Sequence, residues 1–224
     1  MLRLFLSLPP IGYYIIAALL VAAGIFMQNS DNDARAERAE ALAGQAPELV
    51  ALGDFTRADI GLANEVNIAA QINTDYTYTL YKGSERDSSA RVLWLLFDPE
   101  ATGEERSVQA AIMVREREAQ AFTEWLFKNA NGMGALSPVF HINGIRKTYA
   151  PYDEVADDAI SDENLIKAPN FFYIEPFVNG RAAGLAPRAD NDNALLNLAI
   201  FAAAVVAAIG VLKTLWRRRR SPAY

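Results

Sequence analysis

ALLNLAIFAAAVVAAIGVL, residues 194–212, holds no charged side chain and runs into Lys213, Trp216 and Arg217-Arg218-Arg219-Arg220. At about 1.5 Å rise per residue it makes a helix roughly 28 Å long, close to the ~30 Å hydrocarbon core of a bilayer. The aromatic ring and the arginine cluster then fall where an interface and a cytoplasmic surface favour them. The stretch predicts a transmembrane helix, and with it a membrane protein.

The other end of the chain matches. Residues 1–27 carry one charged side chain, Arg3, and Pro9-Pro10 separate a short apolar lead from Ile11–Met27. Proline is tolerated at a helix's first position because that amide has no intrahelical partner. From Pro10 to Met27 the helix is about 27 Å long, with Tyr13 and Tyr14 near one headgroup layer. Val21-Ala22-Ala23 also fits the small-residue rule of a cleaved signal peptide. Ile25-Phe26-Met27 directly after that point and the single arginine before it favour a retained anchor. The expected organisation is a first span at 10–27, a stalk at 28–47, an extracytoplasmic domain at 48–186 and a linker at 187–193. A second span at 194–216 and a basic tail at 217–224 complete it.

Charge orients the two spans. All 27 acidic residues lie between Asp31 and Asp192, with 15 of the 21 basic ones, so this interval carries −12 and the flanks +6. Positive flanks stay in the cytoplasm, so Arg217, Arg218, Arg219 and Arg220 are read as topology signals. Both termini are expected in the cytoplasm of a bacterial inner membrane, with the domain in the periplasm. There are no cysteines, so disulfides, thiol catalysis and thiolate metal sites are excluded. An acidic domain also argues against a nucleic-acid partner, because phosphate binding needs a basic face.

Within the domain, Ala34–Ala43 favours helix and Gly44 stops it. Glu65–Ile72 alternates apolar and polar residues and predicts a strand with one wet face. Asn73-Thr74-Asp75 predicts a turn into a second strand, Tyr76–Lys82, and Gly83–Ser89 a polar loop. Arg91–Phe97 is apolar on both faces, as a central strand would be. Val108–Val114 predicts a further strand, and Glu116–Ala130 an amphipathic helix bearing Phe122, Trp125 and Leu126. Asn143-Gly144 and Asn179-Gly180, each beside apolar residues, predict two-residue hairpin turns. Asp153–Lys167 predicts an acidic helical insertion. Together these define an α+β domain between two transmembrane helices, its small antiparallel sheet strongly curved, either open or barrel-like.

No pattern specifies chemistry. His141, the sole histidine, has no serine–histidine–carboxylate spacing around it and cannot build a zinc site alone. Asp153, Glu154, Asp157, Asp158, Asp162 and Glu163 lack the alternate spacing and central glycine of a calcium loop, which leaves a solvated helix face. Gly132 and Gly134 lack the preceding strand and third glycine of a phosphate loop. No catalytic, cofactor or metal site is therefore assigned. The spans carry the interaction candidates: Ala199, Ala203 and Ala207 recur every fourth residue in the second, and Ala18 and Ala22 in the first. Small residues at this spacing let helices approach closely in lipid.

Two terminal spans around a β-rich extracytoplasmic domain form a layout similar to that of a family of oxidase assembly factors. The family's signatures after the first span and before the second are absent here, so the resemblance is one of layout only. A domain pinned to one membrane at both ends is well placed to touch other membrane proteins. The expected function is a non-enzymatic accessory, assembly or scaffold role in an inner-membrane complex, with an integral-membrane partner. The alternatives are a tethered envelope hydrolase using carboxylates and a periplasmic small-molecule sensor.

Overall fold

Pro10 opens a helix, α1, that runs unbroken over Pro10–Ala43, so the first span and the stalk are one element of 34 residues. It stops where expected: the Gly44 amide bonds the carbonyls of Glu40 and Ala41 at 3.0 and 3.2 Å. This computed structural model describes residues 8–81, 90–149, 152–186 and 193–220. The chain divides into two compact units, Met1–Ala36 with Pro187–Tyr224, and Glu37–Ala186. The Gly83–Ser89 loop, most of the 187–193 linker and residues 221–224 lie outside the described residues, as do the side chains of Arg217, Arg218, Arg219 and Arg220.

In the first unit, α1 and the C-terminal helix, which spans Ala194–Arg220, are each long and apolar enough to cross a membrane. They lie antiparallel. A Cβ on Gly24 would sit 2.6 Å from that of Ala199, and one on Gly210 would sit 3.0 Å from the Cβ of Tyr13. Lys213 donates to the carbonyl of Leu8 at 2.7 Å and lies over the Tyr13 ring.

Among the described residues the second unit is α+β and built on seven strands: β1 (Val50–Ala51), β2 (Glu65–Leu80), β3 (Arg91–Phe97), β4 (Ser107–Arg115), β5 (Ala130–Met133), β6 (Pro138–Lys147) and β7 (Ile166–Pro176). Their order is β1-β2-β3-β4-β7-β6-β5, and β2 also pairs with β6. Five strands, β2-β3-β4-β7-β6, therefore close into a barrel. The pairing is not wholly antiparallel as expected, since β1–β2 and β4–β7 are parallel. Helix α2 (Glu116–Lys128) connects β4 to β5, and α3 (Asp153–Asp162) connects β6 to β7. A five-stranded Greek-key barrel of this kind has the architecture of the OB-fold.

Each barrel strand turns alternate residues inward. Val66, Ile68, Ala70 and Ile72 of β2 meet Val92, Trp94 and Leu96 of β3, Ala110, Ile112 and Val114 of β4, and Ile142 and Ile174 across the bore. Phe122 and Leu126 of α2 pack on this core, with the Phe122 ring 4.8 Å from that of Trp94. The other side of β3 and β4 is equally apolar: Leu93, Leu95, Phe97, Ala111 and Met113 pack against Tyr152, Ala156 and Ile160 at and within α3. This second layer explains why Arg91–Phe97 is apolar on both faces.

Three turn expectations are corrected. Asn73-Thr74-Asp75 does not end a strand: β2 continues to Leu80, and its register with β3 jumps between Ile72–Leu96 and Thr77–Trp94. The polar run forms a bulge, and a bulge bends a strand without breaking it. That bend lets β2 pair with β6 over its first half and β3 over its second. Asn143-Gly144 is likewise no hairpin turn but lies within β6. A Cβ on Gly144 would stand 2.5 Å from the Glu175 carbonyl oxygen and 2.9 Å from the Cα of Pro176, so the glycine permits close strand approach. Asn179-Gly180 does turn, with Gly180 at φ 86°, but leads into a one-turn helix, Arg181–Leu185, not a returning strand.

Candidate functional site

The five small-residue candidates fall on different sides of their helices. Ala203 is buried, Ala199 meets Gly24, and Ala207 is half-buried. On α1 the residues facing inward are Tyr13, Ala17 and Gly24, whereas Ala18 and Ala22 are exposed. They share that exposure with Ile15, Leu19 and Phe26. Alanine spacing alone could not separate these faces, because both residues preceding and following the packed positions are also small or apolar.

His141 is exposed on β6, opposite Ala69 of β2. The acids of α3 do not converge. Asp153 accepts from the Tyr173 hydroxyl at 2.8 Å, and Asp157 pairs with Lys167 at 2.6 Å. Burial, and then this contact with Asp153, pushes the Tyr173 hydroxyl well above its ordinary pKa; burial raises Tyr149 to about 12. Both remain neutral and structural at physiological pH. Gly134 sits against the Gln71 side chain, not over a ligand. Gln71 is fully buried: its amide donates to the carbonyls of Asp98, Pro99 and Ala101, and its oxygen accepts from Leu136 and Ser137. It ties two loops together.

Glu65 and Arg181 were not singled out by sequence. Glu65 is 1% exposed at the start of β2. Arg181 meets it through two bonds, Nε to Oε1 at 2.7 Å and Nη2 to Oε2 at 2.9 Å. The same guanidinium donates to the Gly44 carbonyl and to the Ala41 carbonyl, which also accepts from the Gly44 amide at the end of α1. Asn143 adds a donor to Glu65 at 3.0 Å, and Glu37 accepts from the Ala63 amide at 2.9 Å. A fork-shaped donor suits this role, because one guanidinium serves a carboxylate and two carbonyls at once. The result is a clamp between the last turn of α1 and the barrel. No local spacing announces it, since its members lie 116 positions or more apart for Arg181.

A cavity of about 430 Å³ opens where the barrel wall is interrupted. On β4 and β7, Val108 pairs with Lys167 and the next pair is Ala110 with Phe172. One residue of β4, Gln109, thus stands opposite four of β7, residues 168–171. Leu52 and Phe172, both of the barrel core, form its floor. Phe55 stacks on Phe172 with ring centroids 4.9 Å apart, and the Arg146 guanidinium lies over the Phe172 ring at 5.8 Å. Arg57 stands at its rim. The Gln109 side-chain oxygen is buried there without a hydrogen-bond partner.

Comparisons with protein-family models, with curated proteins and with solved structures return no match. Any functional reading therefore rests on these residues alone.

Proposed function

We propose that this chain is a non-enzymatic accessory or assembly protein of an inner-membrane complex. In this reading it is anchored by two spans, with both termini cytoplasmic and the barrel domain periplasmic. The observation that carries the reading is the outward face of α1. Ala18 and Ala22 remain exposed beside Ile15 and Leu19 after the two helices have packed on one another. In lipid, small residues favour a further helix at close range. The +6 flanks and −12 interior support the orientation.

One feature weighs against a carboxylate hydrolase and another against recognition of oligomeric ligands. Two of the five α3 carboxylates, Asp153 and Asp157, are engaged by Tyr173 and Lys167, which weighs against a carboxylate hydrolase built on this helix. In OB-type barrels, oligomeric ligands lie on the face of the second and third strands. Here that face, on β3 and β4, is covered by α3, whose exposed residues are mainly acidic.

Purification in mild detergent tests the role. A membrane protein should accompany the wild type and be lost when Ala18→Leu and Ala22→Leu are combined, while the chain still inserts. If the double variant retains its partner, or if His141→Ala alone abolishes function in a folded protein, the accessory reading falls. A periplasm-active reporter placed within residues 83–89 should be active, and one fused after Tyr224 silent; the reverse pattern overturns the orientation.

A further inference from the structure

The cavity at the β4–β7 seam has the makings of a ligand site independent of the anchoring role. We propose that it binds a small organic anion that also carries an N–H or O–H donor and a flat apolar body. Each part of that description answers a feature of the walls. The guanidiniums of Arg146 and Arg57 have no hydrogen-bonding or ion-pairing partner among the described residues, and no described carboxylate lines the cavity. Two uncompensated guanidiniums therefore face one space, in a stretch of chain whose net charge is −12. Planar guanidinium forks match carboxylate and phosphate oxygens.

Gln109 supplies the second requirement. A buried acceptor left unpaired costs roughly 1–3 kcal/mol, so it is a place where a ligand donor gains by docking. Gln109 lines the cavity at the register shift, where it alone on β4 stands opposite residues 168–171 of β7. Phe55 and Phe172 provide an apolar surface with Leu52 beneath. The volume lies within the ~300–1,000 Å³ range of small-molecule sites. A lipid headgroup and a free metabolite both present such an anion, and the experiment separates them.

The probes are 4-aminobenzoate, with carboxylate, ring and donor; benzoate, which lacks the donor; and aniline, which lacks the anion. Binding is measured by calorimetry on the full chain in detergent. Saturable binding of 4-aminobenzoate below about 10 mM is expected, with benzoate several-fold weaker and aniline silent. Arg146→Gln should weaken both carboxylates about tenfold, as loss of a charge-assisted contact does. Gln109→Leu should erase the difference between them. If Arg146→Gln does not fold, Arg57→Gln at the rim carries the same charge test. Displacement by a short-chain phosphatidylglycerol but not by inorganic phosphate assigns the anion to lipid, and the reverse assigns it to a free ligand; either upholds the site. The proposal is overturned if aniline binds as well as 4-aminobenzoate, or if the arginine variants leave affinity unchanged. It is also overturned if neither the carboxylates nor inorganic phosphate binds by about 10 mM. Because the probes never engage a membrane partner, these results are distinguishable from failure of the accessory role.

Discussion

Replacing Arg181 with methionine removes the charged end of the side chain while keeping much of its apolar stem. Glu65 is then left with the Asn143 amide as its one side-chain donor, at a position 1% exposed. Removing one partner of a buried ion pair typically costs about 3–5 kcal/mol, because the remaining charge stays desolvated. The Arg181 side chain is 23% exposed, so water can approach the vacated volume, which argues for the lower end, about 3 kcal/mol. The Ala41 and Gly44 carbonyls lose donors too, but Gly44 is solvent-exposed and adds little. Against a typical total of 5–15 kcal/mol that loss is easily measured. Glu65→Gln retains the shape and hydrogen-bonding capacity and should cost less, on the order of 1–2 kcal/mol.

The assay is denaturant unfolding of the full chain in detergent, followed through Trp94 and Trp125, which pack on the barrel core. Amide exchange adds a local readout, since the clamp specifically holds the end of α1. Protection of residues 41–44 should fall in Arg181→Met before the barrel strands are affected. A variant that loses less than about 1 kcal/mol and keeps the exchange pattern of the wild type would refute the reasoning, because Glu65 would then be stable without its partner.

Trp94→Ala empties the bore beside Phe122 and should cost roughly 3–5 kcal/mol in the same unfolding assay; unchanged unfolding would mean that Trp94 is not in the core. Gly144→Ala places a methyl 2.5 Å from the Glu175 carbonyl oxygen. Separating β6 from β7 there should cost about 1–3 kcal/mol or more, and a neutral substitution would show that this strand pair is looser than described. Asp59 should titrate below its usual 3.8 by NMR, because the Thr56 hydroxyl and amide both donate to it. Since its folded pKa is lowered, its contribution is present above the unfolded value and lost as pH falls through the folded one. Thr56→Val should move the Asp59 titration back toward the ordinary value, and no movement would mean that the hydroxyl is not the cause.

Much of the secondary structure was legible because it follows from local pattern. The helices at Glu116 and Asp153, the strands at Arg91 and Ser107, and the stop at Gly44 are set by periodicity and by single residues with few alternatives. The turns were less so. Asn-Gly predicts a hairpin because it tolerates positive φ, but Gly144 serves a different need, the absence of a Cβ where β7 crosses closely. Asn73-Thr74-Asp75 has the composition of a turn and the role of a bulge, and only the two partners of β2 reveal which. Closure of the barrel was illegible for the same reason: it depends on β2 meeting β6 some seventy residues away. Sites assembled across such distances, the Glu65–Arg181 clamp and the arginine-lined cavity, leave no spacing to read.

The acidic insertion, expected as a helix over Asp153–Lys167, is helical only to Asp162, with Ile166 and Lys167 already in β7, and it shows how a segment can be read as the right kind of element and still hide its consequence. Its charges identify a solvated helix face, and that is what α3 presents outward. Its buried residues, Ala156 and Ile160, meet Leu93, Leu95 and Met113, so the helix converts the outer side of β3 and β4 into a second core. A barrel of this size ordinarily keeps that side free for ligands. Here it is committed to stability, and the opening in the wall lies instead at the edge where β4 leaves β7. An insertion that closes one surface while a bulge opens another relocates binding capacity without altering strand order. The same fold can therefore host a different recognition chemistry, and the residues that decide it are Gln109, Arg146 and Arg57, none of them on the covered side of the sheet.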